Sequence, residues 1–324
     1  MELEFVPDII IAHPDWGESL FLKHVWPDAR LGLYCEYHYH PKARDMKFDP
    51  EFADPDPGLV CHQNLKNAND LLHFEIADAG ISPTKWQAGT YPEHFRKKIT
   101  IVHDGVDTKA LAPNPKVGIC IKKGLTLFKS DPVVTFVNRN LEPHRGYHIF
   151  MRALPEILKR NPRARTLIIG GNQTSYHEKP PQGTTWMDIF LDEVKDRLDM
   201  SRVHFLGRLP YEHYIGVMQL STVHVYLTYP FVLSWSLVEA MSMGCSIVAS
   251  DTAPVQEVIE HDQTGRLVNF FDIQGIADNV TELLDNPNER QRLGANAREF
   301  AVKHYDLQTK CLPKQIEWVE GLMI

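Results

Sequence analysis

From Asp131 onward the chain alternates between short apolar runs and stretches with helical periodicity. PVVTFVNRNL gathers Val, Phe and Leu in a run too short for a helix, whereas GYHIFMRALPEILKRNP spaces its apolar residues three and four apart. The pairing repeats as ARTLIIGG with TWMDIFLDEVKDRLD, VHFLGRL with PYEHYIGVMQL, VHVYLTY with SLVEAMSMG, and SIVASD with PVQEVI, before a final strand, GRLVNF. Strands dominated by Val, Ile and Leu, each followed by a helix, predict a parallel sheet covered on both faces. The first part of the chain repeats the pattern more briefly, with strands predicted at DIIIAH, LGLYCEY, AGISPT and KITIVHDGV. The expected fold class is therefore α/β, with two Rossmann-like domains facing across a cleft, the N-terminal one reduced. From Asp272 the pattern turns helical and stays so. LAPNPKVGICIKKG, with its prolines and glycines, reads as the linker and puts the boundary near Pro113 to Lys129. The expected domains are 1–115, 116–300, and a helical tail at 301–324 that packs back towards the first domain.

Composition narrows the class. A chain of 324 residues with 43% hydrophobic and 23% charged residues fits two soluble globular domains. A net charge of -8 argues against general binding of nucleic acid but leaves room for a local basic site that receives a phosphorylated small molecule. No apolar run approaches the roughly 18 residues that span a bilayer. The N-terminus, MELEFVPDIIIAHPDWG, lacks a basic n-region, so a cytoplasmic location is expected. The final helix carries Trp318, Leu322, Met323 and Ile324, which suit either peripheral contact with the inner face of a membrane or packing on the first domain. Five cysteines with no CxxC pair suggest reduced thiols rather than disulfides or zinc ligands.

Open α/β sheets bind ligands beyond the carboxyl ends of their strands, so the residues after strands are where chemistry is sought. In NRNLEPHRGYH, Arg139 ends a strand and Arg145 precedes a helix, a pairing suited to a diphosphate through guanidinium forks and helix N–H groups. Two solvated surface arginines pairing with Glu142 or Glu156 are the plainer alternative. Gly171 in LIIGGNQTS permits close approach of a ligand or a tight turn. Gly207, Arg208 and Leu209 close the next strand, where backbone could read the edge of a nucleobase. In PFVLSWSLVEAMSMG, Ser236 and Glu239 have the spacing of a capping box, in which Glu239 reaches back to the Ser236 N–H. The same carboxylate lies at the binding edge and could grip sugar hydroxyls. In the first domain His13, Trp16, Gly17, Glu36 and Tyr37 follow strands. His38 and His40 share a strand face, which makes a metal site with His13 conceivable, but no matching carboxylate or cysteine spacing accompanies them and no metal is expected.

These stretches together resemble the retaining family-4 glycosyltransferases of GT-B fold, in a bacterial exopolysaccharide or lipopolysaccharide type of branch. NRNLEPHRG resembles the family's phosphate motif, and LVEAMSMGCSIVASDTAPVQEVIEHDQTGRLV its glutamate helix with the strand, turn and helix beyond. AHPDWGESLFL, YCEYHYH, FDPEF, SPTKWQ and IVHDGVDT are similar to first-domain stretches of that branch. The resemblance implies a nucleotide-sugar donor, best guessed as UDP-glucose, with no cofactor and no metal. Its acceptor would be a saccharide or a lipid-linked sugar in polysaccharide biosynthesis. Arg139 and Arg145 would neutralise the departing diphosphate, Glu239 would hold the ribose, Leu209 and its neighbours the base. A helix N-terminus from Val232 and Leu233 through Ser234 to Ser236 would face the phosphates and the donor sugar. His13 and Glu36 are the candidates nearest the reacting centre, with Trp16, Gly17 and Tyr37 beside them. The sequence departs from the family in two places. Phe231 stands where a second glutamate is common, and the Gly-rich N-terminal loop of relatives has no counterpart. Both departures also fit a catalytically inactive sugar-nucleotide-binding subunit.

Overall fold

The computed structural model describes residues 5–17, 19–39, 47–53 and 57–323. His40 and the side chain of Trp16 lie outside the described residues. The chain forms two compact units: Met1–Gly105 with Pro230–Leu233 and Tyr305–Ile324, and Val106–Tyr229 with Ser234–His304. Each is built on a parallel sheet, as the strand and helix alternation predicts.

In the first unit, strands β1 (Ile9–Ala12), β2 (Arg30–Tyr34), β3 (Ala79–Ser82) and β4 (Ile99–Ile101) pair in sequence order. Helices α1 (Leu22–Val25), α2 (Pro57–Lys66), α3 (Ala68–Ile76), α4 (Lys85–Thr90) and α5 (Glu93–Arg96) connect them. Successive side chains of a strand point to opposite faces, so Leu31 and Leu33 of β2 share one face and Gly32 takes the other. Leu31 and Leu33 join a core with Phe74, Tyr91 and Phe95, in which the Phe74 and Phe95 rings stack with centroids 4.1 Å apart.

The second unit opens with a hairpin, β5 (Gly118–Lys122) and β6 (Leu125–Phe128), inside the stretch expected to be a linker. The alternation in GICIKKGLTLF and the left-handed Gly124 at its turn account for it: a short two-stranded ribbon fits between prolines as readily as an open connection. Six parallel strands follow: β7 (Val133–Asn140), β8 (Arg165–Gly171), β9 (Val203–Gly207), β10 (Val223–Tyr226), β11 (Ser246–Ser250) and β12 (Arg266–Val268). Their spatial order is β12-β11-β10-β7-β8-β9, so the chain travels outward one way from β7 and then returns to β7's other side to travel the opposite way. Helices α6 (Tyr147–Arg160), α7 (Trp186–Val194), α8 (Tyr211–Leu220), α9 (Trp235–Ser242), α10 (Ala253–Gln256) and α11 (Ile273–Asp285) pack on this sheet, followed by α12 (Pro287–Tyr305). The apolar stripe of α6, including Phe150, Leu154, Ile157 and Leu158, is buried, and Lys159 and Arg160 complement the helix dipole in its last turn.

The last helix, α13 (Leu312–Gly321), belongs to the first unit. Its Trp318 lies directly on Gly32, where a β-carbon would come within 2.6 Å of the indole and 3.0 Å of Leu322. Trp318 and Leu322 are thus engaged with the β2 face, Met323 is exposed, and Ile324 lies outside the described residues. Among the described residues, no helix is long and apolar enough to cross a membrane. The Gly32→Ala substitution is expected to force the indole off β2 and to lower stability by about 1–3 kcal/mol, the usual range for overpacking. The midpoint of urea unfolding measures that loss, and an unchanged midpoint would mean that α13 does not hold this position.

Candidate functional site

The strand order reverses between β7 and β10, and the carboxyl ends beside such a reversal are the usual ligand site of a doubly wound sheet. Arg139 stands exposed near the end of β7, with no ion-pair partner among the described residues. Arg145 is not the solvated arginine that one reading of the motif allowed. It is 5% exposed, donates from Nη1 to Thr228 Oγ1 at 2.8 Å, and lies over the Tyr176 ring with its guanidinium carbon 5.2 Å from the centroid. Since Arg145 follows β7 and Thr228 follows β10, this bond spans the reversal. Gly146, left-handed at φ 70°, then starts α6.

Glu142, between the two arginines, is completely buried and receives the backbone N–H groups of Ser175, Tyr176 and His177 at 3.0–3.2 Å. Its work is to hold the segment after β8, and so to fix the Tyr176 ring on which Arg145 rests. Sequence reasoning considered Glu142 only as an ion-pair partner; a carboxylate two residues past a strand and next to proline carried no sign of three backbone donors supplied from 33 to 35 residues away.

A cavity of about 490 Å³ opens at the ends of β8 and β9, lined by Gly171, Gln173, Met187, Phe205, Gly207 and Arg208 among others. Arg208 Nη2 donates to Asn140 Oδ1 at 3.0 Å and to Gln173 Oε1 at 3.2 Å, tying three strand ends together. A β-carbon at Gly171 would fall 2.5 Å from Asn140 Oδ1 and 2.7 Å from Arg208 Nε, which explains the glycine. Leu209 is half-buried beside this cavity's wall in sequence, immediately before Pro210 caps α8.

The capping box expected at Ser236 is not formed. Ser234 is the N-cap of α9, its Oγ accepting from Ser236 N, and the Ser234 N–H in turn donates to Tyr226 Oη at 2.9 Å. Glu239 instead receives the Tyr211 hydroxyl on Oε1 and the Tyr214 hydroxyl on Oε2, both at 2.7 Å. A two-residue earlier start to the helix turns Glu239 away from the cap, and α8 supplies the donors. Burial first, and the Glu239 charge second, push both tyrosine hydroxyls far up, so both remain donors. Val232 and Leu233 lie outside α9 and belong with the first unit, where Val232 and Phe231 pack on Tyr37; the Tyr37 and Phe231 ring centroids are 4.7 Å apart. The expected helix N-terminus is therefore limited to Ser234 through Ser236.

The first unit holds a polar cluster at the ends of β1 and β2. His13 Nε2 lies 3.1 Å from Glu36 Oε2, so two of the sequence candidates do meet. Burial lowers the His13 pKa, but the bond to Glu36 and the charges of Asp15 and Glu36 outweigh it, and the net direction is up. Asp15, in the turn that ends at the left-handed Gly17, shares a hydrogen bond with Asp70 of α3. Desolvation, with the second carboxylate nearby, raises Asp15 to about 8, and desolvation raises Asp70 to about 6. The pair therefore keeps a proton at neutral pH. His38 does not join His13: its Nδ1 is 2.7 Å from Asp70 Oδ2, and burial lowers it to about 4, so a neutral ring donates to Asp70. Single ligand atoms of His13, Asp15 and Glu36 lie within 4.8 Å of one another, a spacing that a cation could bridge in competition with the proton.

The family described as glycosyl transferase family 4 group matches residues 1–111, and that described as glycosyl transferases group 1 matches residues 121–300, more than half of the chain. The chain belongs to the glycosyl transferases group 1 family. It is 25% identical over 258 residues to D-inositol 3-phosphate glycosyltransferase of Corynebacterium urealyticum, a match that covers 78% of the chain and 58% of that relative's length. It is 23% identical over 215 residues to glycogen synthase of Mycobacterium tuberculosis, covering 65% of the chain and 46% of that protein. Sucrose-phosphate synthase from Thermosynechococcus elongatus superposes with a TM-score of 0.74 at 19% identity, over 97% of the chain and 73% of its own. Anabaena HepE, solved in complex with UDP-glucose, superposes with a TM-score of 0.69 at 17% identity, over 97% and 78%. These likenesses show the GT-B fold.

The proton held between Asp15 and Asp70 gives the first unit a pH signature. The unfolded chain releases this proton near the ordinary aspartate value, whereas the folded chain keeps it until about pH 8, so between these limits the native state binds more protons and stability falls as pH rises. The contribution is complete below the unfolded pKa and is lost through the folded one, with a slope of at most about 1.4 kcal/mol per pH unit. Asp15→Asn, which imitates the protonated form, is expected to flatten the decline between pH 5 and 8. Urea unfolding across that range checks it, and parallel declines in the two proteins would show that the carboxyls do not share a proton.

Proposed function

We propose that the chain is a retaining hexosyltransferase that takes a nucleotide-sugar donor, with UDP-glucose the first to test, and transfers the sugar to a saccharide or lipid-linked acceptor in polysaccharide biosynthesis. The observation that carries this reading is the strand reversal between β7 and β10, with Arg139 near the end of one strand, Arg145 after it, and Glu239 on the helix after the other. A diphosphate set against the two guanidiniums and the start of α9 would find both charge and N–H donors. The cavity beside Gly171 and Arg208 has the size of a small-ligand site and suits a base, while Glu239, already held by two hydroxyls, would accept from a ribose.

In this reading leaving-group charge is stabilised by Arg139 and Arg145 and by the α9 dipole, so transfer needs no metal ion. Retention follows from attack on the face the leaving group departs from, with a donor phosphate oxygen taking the acceptor hydroxyl's proton, and no side-chain nucleophile is required. His13 and Glu36, with Gly17 and Tyr37 beside them, would receive the acceptor in the first unit. Phe231 favours a second reading, a nucleotide-sugar-binding subunit without transfer activity, because it packs on Tyr37 where a donor-sugar carboxylate would otherwise stand. Release of UDP from UDP-glucose, measured with and without candidate acceptors, separates them: saturable UDP binding with no release under any condition would sink the enzyme.

Arg139→Ala is expected to weaken UDP binding roughly tenfold to a hundredfold, the range for a charge-assisted hydrogen bond. Calorimetric titration reads the change, and equal affinity would remove Arg139 from the phosphate site. Glu239→Gln should keep the fold, since an amide can still meet both tyrosine hydroxyls, yet lose a similar factor in affinity for UDP. Comparison with 2′-deoxy-UDP refines the result: if the variant discriminates between the two as well as the parent does, Glu239 is not the ribose ligand.

A further inference from the structure

At the amino-terminal edge of the six-stranded sheet, opposite the strand ends described above, lies a second cavity of about 420 Å³. It is walled by the segments that lead into β7, β8, β10 and β11 and by the start of α12. Three cations line it, Lys129, Arg163 and Arg290, against one carboxylate, Asp131. Among the described residues none of the three makes an ion pair. Asp131 is engaged elsewhere, its Oδ2 accepting the Phe128 N–H at 2.7 Å.

Part of this charge has a plain structural role. Lys129 Nζ donates to Ser221 O at 2.8 Å, and Arg290 Nη1 closes the carboxyl end of α11 through Leu283 O and Leu284 O. Those bonds use one hydrogen of the ammonium and one nitrogen of the guanidinium. Two further ammonium hydrogens, the rest of the Arg290 fork and the whole exposed Arg163 fork remain, and neutral carbonyls leave the positive charge uncompensated. Burial pushes the Lys129 ammonium below its usual range against the opposing pull of Cys245, with Arg290's charge adding to the fall, and burial lowers Arg290 against Asp285. Like charges held together on a partly buried wall are costly unless an anion joins them.

We propose that this cavity is a second anion site that takes a phosphate monoester, with the phosphate between Lys129, Arg163 and Arg290 and the remaining volume open to the group it esterifies. The volume lies within the range of small-molecule pockets and exceeds what a bare phosphate fills. Guanidinium forks favour the planar pairs of oxygens that a phosphate presents. The inference stands apart from the donor site, since it rests on the other edge of the sheet and on other residues.

Inorganic phosphate and glucose 6-phosphate, titrated calorimetrically into the full chain held with saturating UDP, test it. Saturable binding of either probe at low millimolar concentration or below is expected, with a loss of at least about tenfold in Arg163→Glu, whose side chain is exposed and carries no structural bond described here. UDP affinity should be unchanged in that variant, and Arg163→Ala should show a smaller loss in the same direction. Tighter binding of the sugar phosphate than of phosphate would show that the cavity reads the ester group; equal binding would show that phosphate alone is recognised. No saturation by about 20 mM of either probe, equal affinity in the charge-reversed variant, or displacement of the probe by UDP would each overturn the proposal.

Discussion

The second unit is organised by one bond that crosses a gap in connectivity. β7 and β10 are neighbours in the sheet, but 82 residues of chain, 141–222, lie between them. Arg145 and Thr228 close that gap with side chains, and the buried guanidinium is held in place by Tyr176, which in turn sits on a segment tied down by Glu142. An arginine is expensive to bury, and here three neighbours share the task of keeping it oriented. Arg145 is thereby fixed by the fold before any ligand arrives, while Arg139, exposed on β7, stays unconstrained by an ion pair among the described residues.

Glu239 illustrates how a local rule and a tertiary contact compete. Its spacing from Ser236 satisfies the capping rule, but Ser234, two residues earlier, takes the cap and leaves the carboxylate to α8. Tyr211 and Tyr214 lie three apart on one helix face, which lets both hydroxyls reach one carboxylate. The outcome is a carboxylate with each oxygen already directed before any hydroxyl group arrives.

Much of the second sheet was legible because its strands are buried on both faces and read as continuous apolar runs. The hairpin at Gly118–Phe128 was not, since its prolines and glycines have the composition of a linker and only the alternation betrays pairing. Of the candidate site, the placement of Arg139, Arg145 and Glu239 around strand ends was legible in the sequence, and their partners, which come from far away, were not. Asp15 lay inside a quoted motif without drawing notice, because its meaning depends on Asp70, brought beside it by α3. Val232 and Leu233 looked like the opening of a helix, yet their apolar side chains pack with the first unit, a choice that periodicity in eight residues has no means to make. Trp318 on Gly32 was hinted at only by an apolar final helix and an inward-facing glycine.

That last contact sets an order of events when the chain is made. Trp318 follows Gly32 by 286 residues, so at about 5–20 residues per second the bare face of β2 waits roughly 14–57 s for its cover. The second unit, nearly continuous from Val106 to His304, emerges whole in the meantime. Of the two units, the one synthesised first is therefore the last to be completed, and its β2 face stays uncovered while the other unit is made.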